Sequence, residues 1–221
     1  MAKVGVVLSG CGVFDGSEIY ETVATLLALD RAGAEVVVAA PDVDFDVVDH
    51  YSGKATGERR NVLVESARIV RGKIKPLTEL GAAEIDALIL PGGFGAAKNL
   101  SDFASKAARA TAIPEVARLL REMHRAGKPI GAICIAPAVL AAAFEEDKLA
   151  PVLTIGNDKG TATALEAKGA KHVACPVREF VVDEKNKLVT TPAYMLATRV
   201  SEAADGIEKL VGAVLRMAGQ R

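Results

Sequence analysis

Residues 128–144, KPIGAICIAPAVLAAAF, run from a short apolar segment through a cysteine into a row of helix formers. Lys128 to Ile133 reads as a buried strand, because the run is apolar and short. Ala136 to Phe144 reads as a helix: alanine and leucine have high intrinsic propensity, and Pro137 falls in the first turn, where its missing N–H costs nothing. Cys134 therefore sits on a strand-to-helix turn. Such an elbow holds its side chain above the carboxyl edge of a parallel sheet, beside the following backbone N–H groups and the positive end of a helix. A thiolate is expected to be stabilised there.

Free cysteine is more often a small buried hydrophobe than a reactive group, and Cys11 and Cys175 fit that description, with Cys175 read inside a strand from His172 to Val177. Cys134 stands apart because of a second element upstream. Residues 87–95, ALILPGGFG, form a strand that ends in a glycine pair, which lets backbone approach a ligand closely. Two strand ends can then converge on one place.

Composition limits the choice of function. The chain has 221 residues, half of them hydrophobic and a quarter charged, enough for a substantial core in one domain spanning residues 1–221. Net charge is −1 with Lys and Arg scattered, so there is no electrostatic footprint for nucleic acid. The longest uncharged apolar run, 129–144, is shorter than the ~18 residues of a membrane span and holds two prolines. The N-terminus lacks the apolar stretch of a signal peptide, and the expectation is a cytoplasmic protein with reduced thiols. Three widely spaced cysteines make neither a disulfide framework nor a paired zinc site.

The rest of the chain alternates strand and helix. Lys3 to Leu8 is a strand followed by the glycine-rich turn SGCGVFDGSE, in which Gly10, Gly12 and Gly16 miss the spacing of a dinucleotide-binding fingerprint. A helix from Ser17 to Ala32 carries Ile19, Val23, Leu26 and Leu27 at helical spacing and has Glu18 and Glu21 in its first turn. Either acid can simply complement the helix dipole, or one can reach the thiol. Ala34 to Ala40 is a β-branched strand buried on both faces, and Pro41 to Lys75 an excursion of short strands with a solvated acidic cluster. A helix opens at Pro114 with Val116, Leu119, Leu120 and Met123 as its stripe, and the last helix, Thr198 to Met217, buries Ile207, Leu210, Val211, Val214 and Leu215. Phe180–Asp183 and Leu188–Thr191 flank EKNK as an antiparallel hairpin on a sheet edge. The alternation predicts a three-layer α/β/α sandwich, flavodoxin-like, with a mostly parallel sheet and an antiparallel edge hairpin.

ALILPGGFG followed by AICIAP, with an acid in the first turn of the first helix, resembles the PfpI branch of the class I glutamine amidotransferase-like superfamily, which includes the Parkinsonism-associated deglycase. VLSGCGVFDGSEIYETV, PGGFGAAKNLSDFA, CIAPA and VTTPAYMLA together resemble a narrower group, the ElbB-like enhancing-lycopene-biosynthesis glyoxalases. The resemblance covers essentially the whole chain. It implies Cys134 as nucleophile, Glu21 as the acid that contacts it, the backbone N–H groups of Gly93 and Ile135 as an oxyanion hole, and Cys11, Gly92 and Phe94 around the pocket. It also implies a homodimer, a small aldehyde substrate, and no metal or organic cofactor.

The chain departs from the hydrolytic members at one position. Ile135 follows the cysteine where PfpI-type proteases carry histidine, and the one histidine downstream, His172, reads as part of a strand. An amide hydrolase without an imidazole lacks its usual general acid and base, which disfavours a protease or glutaminase. A thiol beside a carboxyl suits addition to an aldehyde followed by proton transfer between neighbouring carbons. The resemblance therefore implies a cofactor-independent glyoxalase that converts glyoxal to glycolate, with deglycase activity as a related outcome. The alternative from another class is a non-catalytic cysteine redox sensor or a modulator of isoprenoid biosynthesis.

Overall fold

The computed structural model describes residues 1–220. In chain order the strands are β1 (Lys3–Val7), β2 (Glu35–Ala40), β3 (Asp44–Asp49), β4 (Lys54–Asn61), β5 (Lys75–Pro76), β6 (Ala87–Leu90), β7 (Ile130–Ile133), β8 (Val152–Leu153), β9 (Lys171–His172), β10 (Val181–Asp183) and β11 (Leu188–Thr191). The helices are α1 (Ile19–Arg31), α2 (Val62–Ile69), α3 (Phe94–Asn99), α4 (Phe103–Lys106), α5 (Pro114–Arg125), α6 (Pro137–Phe144), α7 (Lys159–Ala167) and α8 (Val200–Met217).

Seven strands form the central sheet in the order β10-β11-β7-β6-β1-β2-β5. All neighbours are parallel except β10 and β11, the edge hairpin. The chain leaves β1 for β2 on one side and later returns to β6 on the other. The crevice outside the carboxyl ends of β1, β6 and β7 is thus a topological switch point, where sheets of this kind bind ligands.

Each face of the sheet carries its own apolar layer. On one, β6 and β7 pack under α5 and α6 through Val116, Leu119, Leu120 and Met123. On the other, α1 and α8 lie side by side, with Ile207, Leu210, Val211, Val214 and Leu215 of α8 buried as their spacing predicts. Full burial of such side chains is worth about 1.5–3 kcal/mol each, so this stripe alone fixes α8 against the sheet.

Four local expectations are corrected. Residues 62–69 are a helix rather than a strand: Asn61 caps it by accepting the Val64 N–H (3.1 Å), and polar Ser66 is buried because it accepts the Gly10 N–H (2.9 Å). Strand β2 is buried only over Val38–Ala40, since β5 covers it at Ala39 and Ala40 alone. Cys175 lies outside any strand, because β9 ends at His172 where its two-residue partner β8 ends. In α1 most of the predicted apolar stripe faces outward: Ile19, Val23 and Leu27 are exposed while Leu26 packs against the core, and Glu21, Thr22, Thr25 and Leu29 face the interior. The inward threonines satisfy their hydroxyls on the helix itself, Thr22 to the Glu18 carbonyl and Thr25 to the Glu21 carbonyl.

Candidate active site

Cys134 follows β7 in a left-handed backbone conformation, φ +61°, which a residue with a Cβ adopts only at a cost of order 1 kcal/mol or more. Its N–H is held by the Thr191 carbonyl at the end of β11 (2.9 Å), and Pro137 starts α6 three residues on. The elbow expected from residues 128–144 is therefore present. The side chain is nearly closed off from solvent, 7% exposed.

Glu21 reaches the same point from α1. Glu18 takes the N-cap position and accepts the Glu21 N–H (2.6 Å), so the two first-turn acids divide their roles. The Glu21 carboxyl turns inward, is fully buried, and accepts the Gly92 N–H (2.9 Å) on Oε2 and the Tyr194 N–H (3.2 Å) on Oε1. The carboxyl lies beside Cys134, the two meeting at Gly92. Gly92 lies between them: a Cβ there would overlap that of Cys134 and sit 2.6 Å from Glu21 Oε2. Gly93, at φ +92°, turns the chain so that its own N–H and that of Ile135 face the sulfur.

Burial, followed by the Glu18 charge, pushes the Glu21 carboxyl up to about 8; the Tyr194 N–H, the thiol and the Gly92 N–H pull the other way. Burial, followed by the neighbouring Glu21 charge, raises the Cys134 thiol well above its ordinary value, against the Gly93 and Ile135 N–H groups. The expected thiolate stabilisation is thus reversed in the resting site. Desolvation of two acids in one apolar enclosure outweighs the helix end and the backbone dipoles. The pair holds its protons at neutral pH until a reaction gives one of them somewhere to go.

A cavity of about 400 Å³ opens in front of the sulfur, lined by Gly93, Phe94, Ile135, Asp158, Tyr194 and Met195 among others. Of the residues singled out from sequence, Cys134, Glu21, Gly92, Gly93 and Ile135 come together and Phe94 forms a wall. Cys11 does not join them. It lies against α2, with Glu65 and Arg68 as the charges acting on it, and burial raises its thiol. Sequence reasoning missed Asp158, Thr161, Tyr194 and Met195; Tyr194 and Met195 stand inside VTTPAYMLA, and nothing in their spacing marks them as pocket residues. No histidine lines this cavity: His172 accepts the Ile155 N–H (3.4 Å), His124 packs on Phe144, and His50 accepts the Phe14 N–H (3.2 Å). Among the described residues no cluster of three or more His, Cys, Asp or Glu side chains could hold a metal ion.

A flavodoxin-like sandwich with a cysteine elbow facing a buried helix-one acid defines a glutamine amidotransferase-like protein. The sequence pattern of the DJ-1/PfpI family matches residues 11–198, and the chain belongs to that family. It is 50% identical to the human glutamine amidotransferase-like class 1 domain-containing protein 3, mitochondrial, over 99% of this chain and 84% of that one. It is 49% identical to the ES1 protein homolog, mitochondrial, of Rattus norvegicus, over 99% and 85% of the two chains. The crystal structure of an isoprenoid biosynthesis protein with an amidotransferase-like domain from Ehrlichia chaffeensis superposes with a TM-score of 0.91 at 37% identity, covering 98% of this chain and 99% of that one. The cytoplasmic expectation is corrected by these relatives, two of which are named as mitochondrial. The stretch on which it rested forms β1 and the turn after it, and says nothing of compartment. Among the described residues no helix is long and apolar enough to cross a membrane.

Proposed function

We propose that this protein is a cofactor-independent glyoxalase that converts glyoxal to glycolate through a covalent adduct on Cys134. The observation that carries the reading is the Glu21 carboxyl, buried against the sulfur and pushed up to about 8, in a site with no imidazole. The sulfur adds to one aldehyde carbon of glyoxal, the S–C bond forms, and the thiol proton passes to the carbonyl oxygen. The Gly93 and Ile135 N–H groups stabilise the oxyanion as it develops. Glu21, as carboxylate, removes the C–H proton of the hemithioacetal to give an enediol and returns a proton to the neighbouring carbon. The product is a thioester of glycolate, and water cleaves it to glycolate and free thiol. The overall change is glyoxal plus water to glycolate, with no external oxidant.

Addition to a glycated thiol or amine at the same site would register as deglycase activity. The sensor alternative is weakened by the closed, proton-retaining thiol, because oxidation follows exposure and thiolate character. The homodimer implied by the resemblance suits the outward apolar stripe of α1. The direct test is glycolate measured by chromatography after incubating EDTA-treated protein with glyoxal. Wild type should form glycolate and Cys134→Ala should not; equal formation in both rejects the reading.

A further inference from the structure

Turnover on Cys134 ends in hydrolysis of a thioester, and water is a weak nucleophile towards an acyl carbon unless a positioned group takes its proton as the new bond forms. The sulfur cannot serve, because it is the acylated atom. Glu21 lies beside the sulfur with one oxygen on the Gly92 N–H and the other on the Tyr194 N–H, and it is not part of the wall of the cavity by which water arrives. That wall holds one carboxylate, Asp158, and no Lys, Arg or His. Its two hydroxyls, on Thr161 and Tyr194, keep their protons at neutral pH, and burial, followed by the Glu18 charge, raises the Tyr194 phenol further.

Local structure holds Asp158 where it stands. It is the N-cap of α7, and its Oδ1 accepts the Thr161 N–H (2.7 Å), which fixes the carboxyl at the cavity. Two carboxylate oxygens carry about four lone-pair sites, so the cap leaves acceptor capacity for a water. The Thr161 N–H, followed by the Thr161 hydroxyl, holds this carboxyl below the ordinary aspartate range, and it is ionised in neutral solution. Glu21 is pushed the other way, up to about 8, by burial and the Glu18 charge. One site thus contains two carboxyls in opposite protonation states, the arrangement that supplies a base and an acid together.

We propose that Asp158 is the general base of acyl release: its carboxylate takes a proton from the water that attacks the Cys134 thioester. This inference rests on the glyoxalase reading for the acyl group, and on the make-up of the cavity wall for the base. The bond from water oxygen to acyl carbon forms, and the carbonyl oxygen becomes an oxyanion met by the Gly93 and Ile135 N–H groups. The C–S bond breaks as that intermediate collapses. Glu21 gives its proton to the departing sulfur and regains one from solvent, while Asp158 releases the proton it took. Thioester plus water gives glycolate, one proton and the free thiol.

Asp158→Asn decides the matter, because an asparagine oxygen still accepts the Thr161 N–H and keeps the cap, whereas the amide takes no proton from water. Acyl release is first read without glyoxal. Wild type, Asp158→Asn and Cys134→Ala are treated with p-nitrophenyl acetate, excess reagent is removed, and loss of the acetyl group from the Cys134 peptide is followed by mass spectrometry, with circular dichroism as the check of fold. The expected result is release roughly 10²-fold slower in Asp158→Asn than in wild type, the lower end of the usual worth of a positioned base. Hydroxylamine, which attacks a thioester without a base, should restore release in the variant. After glyoxal, Asp158→Asn should retain a hydroxylamine-labile acyl group on Cys134 where wild type has released glycolate. Equal acetyl release in wild type and Asp158→Asn overturns the assignment whatever glyoxal does, and so does slow release that hydroxylamine fails to restore, or a Cys134 that takes no acetyl group. If acetyl release is slowed in the variant while wild type forms no glycolate from glyoxal, the glyoxalase reading falls and Asp158 stands as the base of an acyl-releasing site.

Discussion

Glu21 is a buried carboxyl held far above its ordinary titration range, and the effects can be read in stability as well as rate. An ordinary glutamate titrates near 4.5, and this one is held up to about 8. Between those values the folded chain keeps a proton that the unfolded chain has released. The stabilisation of the protonated form is complete below pH 4.5 and is lost as pH rises through about 8. The span corresponds to a loss on the order of 5 kcal/mol. Glu21→Gln removes the titration at the cost of one backbone acceptor, because its amide nitrogen cannot accept the N–H that the second carboxyl oxygen accepts. The expected outcome is a wild-type Tm that declines between pH 5 and pH 8 relative to Glu21→Gln, measured by thermal denaturation across that range; parallel curves would show that Glu21 does not titrate there. The same substitution should lower glycolate formation by roughly 10²–10⁴-fold, the usual worth of a positioned acid–base group. Wild-type turnover should rise with pH up to about 8, as the carboxylate that takes the C–H proton becomes available.

At the scale of elements, the turn after β6 sets the spacing of the site. Gly92 follows β6 where the end of β7, the elbow after it and the first turn of α1 meet, and an added Cβ would fall within 3 Å of the Ile133 carbonyl, Cys134 Cβ and Glu21 Oε2. Gly92→Ala must therefore push the sulfur and the carboxyl apart. A stability loss of about 1–3 kcal/mol is expected from overpacking, read from urea denaturation. Turnover should fall about 10²-fold or more, since displacements near 1 Å suffice for that. Wild-type activity in a folded Gly92→Ala protein would mean that the spacing of the pair does not matter to the reaction.

For the molecule as a whole, the outward face of α1 matters most. Ile19, Tyr20, Val23 and Leu27 are each more than 40% exposed and lie at helical spacing on one side of a helix whose other side supplies Glu21. A homodimer formed through this face would bury it and brace the helix that holds the acid. Leu27→Glu should shift the protein toward monomer in sedimentation velocity while leaving its circular dichroism unchanged. An unaltered sedimentation coefficient places any dimer contact elsewhere.

Much of this arrangement was legible in the chain because it rests on local physics. A short apolar run before a cysteine, and a first-turn proline after it, are enough to build an elbow, and PGG after ALIL marks a strand end where backbone crowds a site. The alternation of strands and helices sufficed for the sandwich, and EKNK between two β-rich runs sufficed for the edge hairpin. Other features depended on neighbours far along the chain. The apolar positions of α1 showed a helical period but not which side faced the sheet, and it is Glu21 and two threonines that turn inward, satisfied by the Gly92 and Tyr194 N–H groups and by the helix itself. Residues 62–69 alternate like a strand, yet form a helix whose Ser66 is buried to serve a glycine 56 residues earlier. Cys11 lies in a glycine-rich turn and still stands apart from the site, whereas Tyr194, 173 residues from Glu21, supplies one of its two backbone donors. Periodicity and turn chemistry act over a few residues and are written in the sequence; burial, and with it the direction of every pKa shift in the site, belongs to the enclosure that distant segments make together.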